Sequence, residues 1–174
     1  MPWSTVAHNV ALPLELAGVP REAREKRVAA ALEQVGLSGF RDAFPRELSG
    51  GMKMRVSIAR GLVTDPPLLL MDEPFASLDE ITRFKLNDDL IGLWRAVGNT
   101  VVFVTHSVFE SVYLSSRIVV MTPRPGRVFA DLSIDAPFPR DEGFRTSPEY
   151  VRWCRTVSQA LAEAMGPPAA GEMP

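Results

Sequence analysis

The sequence predicts an α/β fold in which a parallel sheet is covered by helices and preceded by an all-helical segment. Three observations predict it. Leu68-Leu69-Leu70-Met71 and Thr100-Val101-Val102-Phe103-Val104 are short continuous apolar runs bounded by breakers, the pattern of strands buried on both faces. Between them, about Glu80 to Val97, Leu86, Leu90, Leu93 and Val97 recur at helical spacing. Arg117 to Met121 supplies a further strand after a short helix, so strands and helices alternate as parallel crossovers require.

In chain order, Thr5 to Leu16 reads as a short apolar helix in which Pro13 predicts a kink or an early end. Pro20 sits near the start of a clearer helix running to about Val35, with Val28, Ala31, Leu32 and Val35 as its apolar stripe. Gly36 is placed to stop it. A helical turn from Gly39 to Phe44 is expected to end at Pro45. Ser49-Gly50-Gly51 then precedes a helix with Met52, Val56, Ala59 and Val63 on its inner face, and Asp65-Pro66-Pro67 breaks it. Gly98-Asn99 closes the long helix, and Val108 to Leu114 forms the next one. Pro123-Arg124-Pro125-Gly126 is a turn that makes Arg127 to Leu132 the second arm of a hairpin. Asp135 to Ser147, rich in Pro and charge, reads as loop. Tyr150 to Ala164 reads as a final helix, and Gly166 to Pro174 as a disordered tail.

Composition narrows the function. A length of 174 residues with 46% hydrophobic and 23% charged residues suits one sizeable domain with a core. A net charge of -2 gives no basic patch for nucleic acid, so none is expected as a partner. The single cysteine, Cys154, excludes an internal disulfide framework and suits a reducing compartment. No apolar run approaches the roughly 20 residues that span a bilayer, and Met1-Pro2-Trp3-Ser4 has no secretory-signal character. Any service to a membrane would be by docking onto something embedded there.

Three short segments carry chemistry. In parallel α/β sheets ligands bind beyond the carboxyl ends of the strands, where both Asp72-Glu73 and Thr105-His106 fall. A carboxylate at a strand end is held rigidly enough to orient a Mg²⁺ shell that keeps several waters, and its neighbour can polarise a water for in-line attack on a phosphate. His106 can donate to a phosphate oxygen or position a water. Ser49-Gly50-Gly51 at a helix start offers a hydroxyl, accessible backbone N–H groups and the positive end of the helix dipole, an anion site. Each has a plainer reading: carboxylates leaving a strand, an unremarkable strand-end histidine, and an ordinary N-cap. Ser77-Leu78-Asp79 by itself reads as the N-cap of the long helix.

The ordered series Leu48-Ser49-Gly50-Gly51, Leu68 to Glu73, Ala76-Ser77-Leu78-Asp79 and Thr105-His106 resembles the ABC transporter ATPase family over about residues 1 to 132. There the segments are the signature loop, Walker B, the D-loop and the H-loop. The resemblance implies a P-loop NTPase core with a parallel sheet plus a helical subdomain, and ATP and Mg²⁺ as cofactors. It implies that Asp72 helps hold Mg²⁺, that Glu73 is general base on the attacking water, and that His106 contacts the γ-phosphate. Ser49, Gly50 and Gly51 would contact ATP held by a second ATPase subunit in a head-to-tail dimer, with Asp79 at that interface. The implied partners are transmembrane permease subunits and, indirectly, a periplasmic or extracellular substrate-binding protein. The implied location is peripheral, on the cytoplasmic face of the membrane. Met1 to Val6 looks like the segment after the Q-loop glutamine, although Trp3 and Val6 could equally be core. Pro2-Trp3, Leu48 to Met52 and Thr122 to Arg127 look like the branch importing nitrate, sulfonates and taurine.

Two departures stand out. Met52 occupies a place where the family often has glutamine. No G-x-x-x-x-G-K-[ST] phosphate loop occurs anywhere in the chain. The family places that loop upstream of Met1, so the chain is expected to be a fragment lacking the N-terminal β-subdomain and the Walker A strand. Deleting a central strand would leave backbone groups unpaired at about 1–3 kcal/mol each. The expected division is 1–48 helical subdomain, 49–132 ATPase core and 133–174 C-terminal extension. The alternative function is a catalytically inactive module that donates its signature loop in trans to an intact subunit.

Overall fold

The computed structural model describes residues 1–166; the expected tail beyond Gly166 lies outside the described residues. The chain divides into two compact units, Met1–Val104 and the residues from Thr105 onward. That boundary falls within the 49–132 segment grouped by motif order.

The first unit opens with α1 (Val6–Leu16), N-capped by Thr5, whose hydroxyl accepts from the His8 N–H. Pro13 does not end it early; α1 continues to Leu16. An interior proline costs about 3 kcal/mol, but Val6, Val10 and Leu14 are fully buried in the packing of α1 against its neighbours, which offsets that cost. Asn9, also buried, ties down the entry by donating to the carbonyls of Ser4 and Thr5 at 3.0 and 2.9 Å. Helix α2 (Arg21–Gln34) carries Arg21–Glu25 and Lys26–Glu22 pairs at i,i+4 on its wet side and buries Val28, Ala31 and Leu32. Gly36 stops it at φ 68°, and the Leu37 N–H returns to the Leu32 carbonyl at 2.8 Å, a Schellman close sealed by two buried leucines. The expected single turn before Pro45 is two 3-10 turns, Ser38–Phe40 and Pro45–Glu47, because proline opens a turn more readily than it closes one.

Helix α3 (Gly50–Leu62) buries Val56, Ile58, Ala59 and Leu62. Strand β1 (Leu68–Asp72) pairs in parallel with β2 (Thr100–Val104), Leu68 opposite Thr100 and Asp72 opposite Val104. Between them runs α4 (Glu80–Val97), closed by Gly98 in the left-handed conformation at φ 75°. Helices α3 and α4 cover one side of the pair, where Leu62, Leu69, Leu90, Leu93, Trp94, Val97 and Val101 meet.

The strands are not buried on both faces. Alternation along each leaves Leu68, Leu70, Val102 and Val104 46%, 69%, 47% and 50% exposed on the side away from the helices. An all-apolar strand is suited to two covers, but within the first unit only one face has its cover.

In the second unit, α5 (Val108–Leu114) leads to β3 (Arg117–Met121), which pairs antiparallel with β4 (Val128–Ser133), the expected hairpin. Strand β3 belongs to this hairpin and not to the β1–β2 sheet. The Asp135 to Ser147 stretch is not all loop: Asp141 N-caps a short α6 (Glu142–Arg145). Helix α7 (Pro148–Met165) packs on α5 and the hairpin, burying Tyr150, Cys154 and Val157.

Candidate functional site

In the first unit, Ser49 is the N-cap of α3 and its hydroxyl accepts from the Met52 N–H at 3.2 Å. Ser49 and Gly50 are exposed and Gly51 is half-buried. A Cβ on Gly50 would come within 3.1 Å of Leu78 Cδ2, and one on Gly51 within 3.0 Å of Thr82 Cγ2. The two glycines therefore let the start of α3 press against the start of α4, a packing reason for them beside any anion-binding reason. Asp79 N-caps α4 and accepts from the Thr82 N–H at 2.9 Å. Hydrogen bonding from Thr82, side chain first and backbone second, holds the exposed Asp79 carboxyl below its ordinary value. The structure thus brings Ser49, Gly50, Gly51 and Asp79 to two adjoining helix starts.

Asp72 is the last residue of β1 and is exposed. Glu73 follows in the left-handed region at φ 47°, with its N–H donating to the Val104 carbonyl at 3.0 Å. A non-glycine residue there carries about 1–2 kcal/mol of strain, and residues held so cluster at functional sites. Phe75, fully buried and 5.5 Å from the Phe103 ring, pins the chain as it leaves the strand. No group of three or more His, Cys, Asp or Glu able to hold a metal occurs among the described residues. A lone strand-end carboxylate fits Mg²⁺, which takes one or two carboxylates and fills its remaining positions with phosphate and water.

His106, the second residue of the second unit, is exposed in the turn before α5. Thr105 Oγ1 accepts from the Ser107 N–H at 3.0 Å, and its hydroxyl donates to the buried Glu110 carboxylate. Sequence reasoning gave Thr105 no role of its own and missed Glu110, although Ser107-Val108-Phe109-Glu110 has the S-x-x-E spacing of a capping box. It also missed Arg140, 3% exposed, whose guanidinium donates to the carbonyls of Val112, Tyr113, Ser115 and Ala136 at 2.7–3.0 Å. Nothing in the Pro-rich segment that contains Arg140 signals that contact.

Residues 1–76 match the family model described as ABC transporter. The chain belongs to the ABC transporter family. It is 49% identical over 135 residues to the taurine import ATP-binding protein of Rhizobium johnstonii, covering 78% of this chain and 52% of that one. It is 39% identical over 166 residues to the nitrate import ATP-binding protein of Synechocystis, covering 92% of this chain and 62% of that one. Among solved structures it is similar to a component of the cbiONQ ABC transporter complex of Clostridium perfringens, with a TM-score of 0.68, 29% identity, and coverage of 75% of this chain and 51% of that one. The fold is therefore that of an ABC ATPase, an α/β P-loop NTPase. The chain spans about three-fifths of the length of the first curated relatives it matches, 60% and 58%. No helix among the described residues is long and apolar enough to cross a membrane.

Proposed function

We propose that this ABC chain is part of the ATP-hydrolysing, energy-coupling subunit of an importer for a small anion or a nitrogen or sulfur compound of the nitrate, sulfonate or taurine type. The observation that carries the reading is the end of β1: Asp72 exposed, then Glu73 in a strained left-handed conformation fastened to Val104. Asp72 would hold Mg²⁺, which when bound neutralises phosphate charge. Glu73 takes the proton of the attacking water, and His106 donates to the γ-phosphate. Ser49, Gly50 and Gly51 face nucleotide on a second ATPase subunit, with Asp79 beside them at that interface. The subunit works peripherally, on the cytoplasmic face of the membrane beneath permease subunits that receive substrate from a binding protein. The grouping 1–48, 49–132 and 133–174 into helical, catalytic and C-terminal portions belongs to the same proposal.

A second reading, an inactive module lending its signature loop in trans, is favoured by the exposure of Ser49 and Gly50 at the start of α3. The test measures phosphate release from MgATP by the chain, alone and mixed with an ATPase subunit of the taurine-import type that carries an intact phosphate loop. Activity that falls about a hundredfold or more in Glu73→Gln assigns the base, since general-base catalysis contributes about 10²–10⁴. Activity in the mixture that survives Glu73→Gln and is lost in Ser49→Arg assigns the second reading. No nucleotide binding and no effect on the partner would overturn both.

A further inference from the structure

The turn that carries His106 is closed by a relay that the proposed roles leave unused. Ser107 caps α5, its hydroxyl accepting from the Glu110 N–H at 3.3 Å. In a capping box the carboxylate three residues on would take the N–H of the cap residue directly. Here that N–H goes to Thr105 Oγ1, and the Thr105 hydroxyl goes on to Glu110 Oε2. The threonine is inserted into the box, so the residues on both sides of His106 are tied together. Thr105 is held through its side chain and Ser107 through its backbone. Glu110 is only 6% exposed. Withdrawing a carboxylate from water is costly unless it is hydrogen-bonded; the Thr105 hydroxyl and the positive end of α5 contribute to that compensation.

We infer that Glu110 is a positioning residue. Acting through Thr105, it fixes the backbone from 105 to 107 and so sets the direction of the exposed His106 ring. A plain capping box needs only Ser107 and Glu110; the inserted Thr105 hydroxyl is what ties the residue before His106 into it. The consequence for nucleotide rests on the reading of His106 as a phosphate-contacting group, whereas the relay itself does not.

The whole chain is the sample. It has two histidines, His8 and His106, so the His106 ring signals are identified by NMR through comparison with His8→Gln. Without nucleotide, Thr105→Val and Glu110→Ala are each expected to speed hydrogen exchange at the Ser107 amide about tenfold, the scale of losing one hydrogen-bonded link to a charged group. Both are expected to broaden or shift the His106 ring signals. Thr105→Ser, which keeps the hydroxyl, should restore both readouts, and the double variant should exceed neither single one. Should Glu110→Ala fail to fold, Thr105→Val and Thr105→Ser carry the comparison alone. A folded Thr105→Val with unchanged Ser107 exchange and unchanged His106 signals would overturn the inference, and so would additive effects in the double variant. MgATP added to the parent chain decides the separate question. An unmoved His106 signal while other signals shift with MgATP, alongside intact relay effects, would remove the phosphate role and leave the fixed turn standing.

Discussion

Glu73 is the residue where geometry and chemistry pull apart. An L-residue at φ 47° stores strain that glycine would not. Glu73→Gly is therefore expected to raise unfolding stability by about 0.5–1 kcal/mol, the relieved strain less the entropy of a freer unfolded chain. Urea denaturation checks it; a loss of stability would mean the left-handed conformation carries no penalty here. Asp79 makes a pH prediction. Its carboxyl titrates lower in the folded chain than its ordinary value, because it accepts hydrogen bonds from Thr82. Its contribution to stability is then present above about pH 4, its unfolded value, and is lost as pH falls through the lower folded one. Asp79→Asn caps comparably well and should flatten that part of the profile. Comparing urea midpoints of parent and variant at neutral and acidic pH measures this, and parallel profiles would refute it. The position of Asp79 at a helix start was legible from Ser77-Leu78-Asp79. The left-handed Glu73 was not, because nothing in Asp-Glu-Pro distinguishes a strained exit from a relaxed one.

Elements read from the sequence to the extent that their causes are local. The ends of α2 and α4 followed from Gly36 and Gly98, and α4 from its inward leucines. Helix α1 outlasts Pro13 because its buried stripe is a tertiary contribution that a local rule does not include. The same holds for α5. It is finished by Arg140 on its last carbonyls and by Tyr150, whose hydroxyl donates to the Phe109 carbonyl at 2.9 Å, both from residues far along the chain. Arg140→Met removes a buried cation satisfied by main-chain carbonyls and orphans them. It is expected to cost about 3 kcal/mol, and Arg140→Lys nearly as much, since an ammonium lacks the planar fork that reaches several acceptors at once. Thermal unfolding of the two variants measures this; a Lys variant as stable as the parent would show that charge alone suffices. The ring of Phe138, 4.2 Å from the guanidinium carbon, packs against the same cation.

At the scale of the whole molecule, the fold class and the motif order were legible, since apolar runs and breakers record which residues avoid water. What covers each apolar face was not, because a strand's composition does not name its neighbours. Leu68, Leu70, Val102 and Val104 consequently form a contiguous apolar surface on the β1–β2 pair. Surfaces of that kind drive association in water. The purified chain is expected to self-associate as its concentration rises, and Leu70→Lys with Val102→Thr to suppress this without loss of helix content. Light scattering across a concentration series, read with circular dichroism, checks both points, and unchanged scattering in the variant would exclude this face as the cause. The clamp on α5 also has a consequence for the order of biosynthesis. Arg140 lies 28 positions after Val112. As the polypeptide leaves the ribosome, α5 emerges with its last carbonyls still hydrated and stays provisional until the stretch bearing the arginine has followed it out. The histidine turn, closed by its own relay, thus sits at the head of a helix whose far end is completed only late in synthesis.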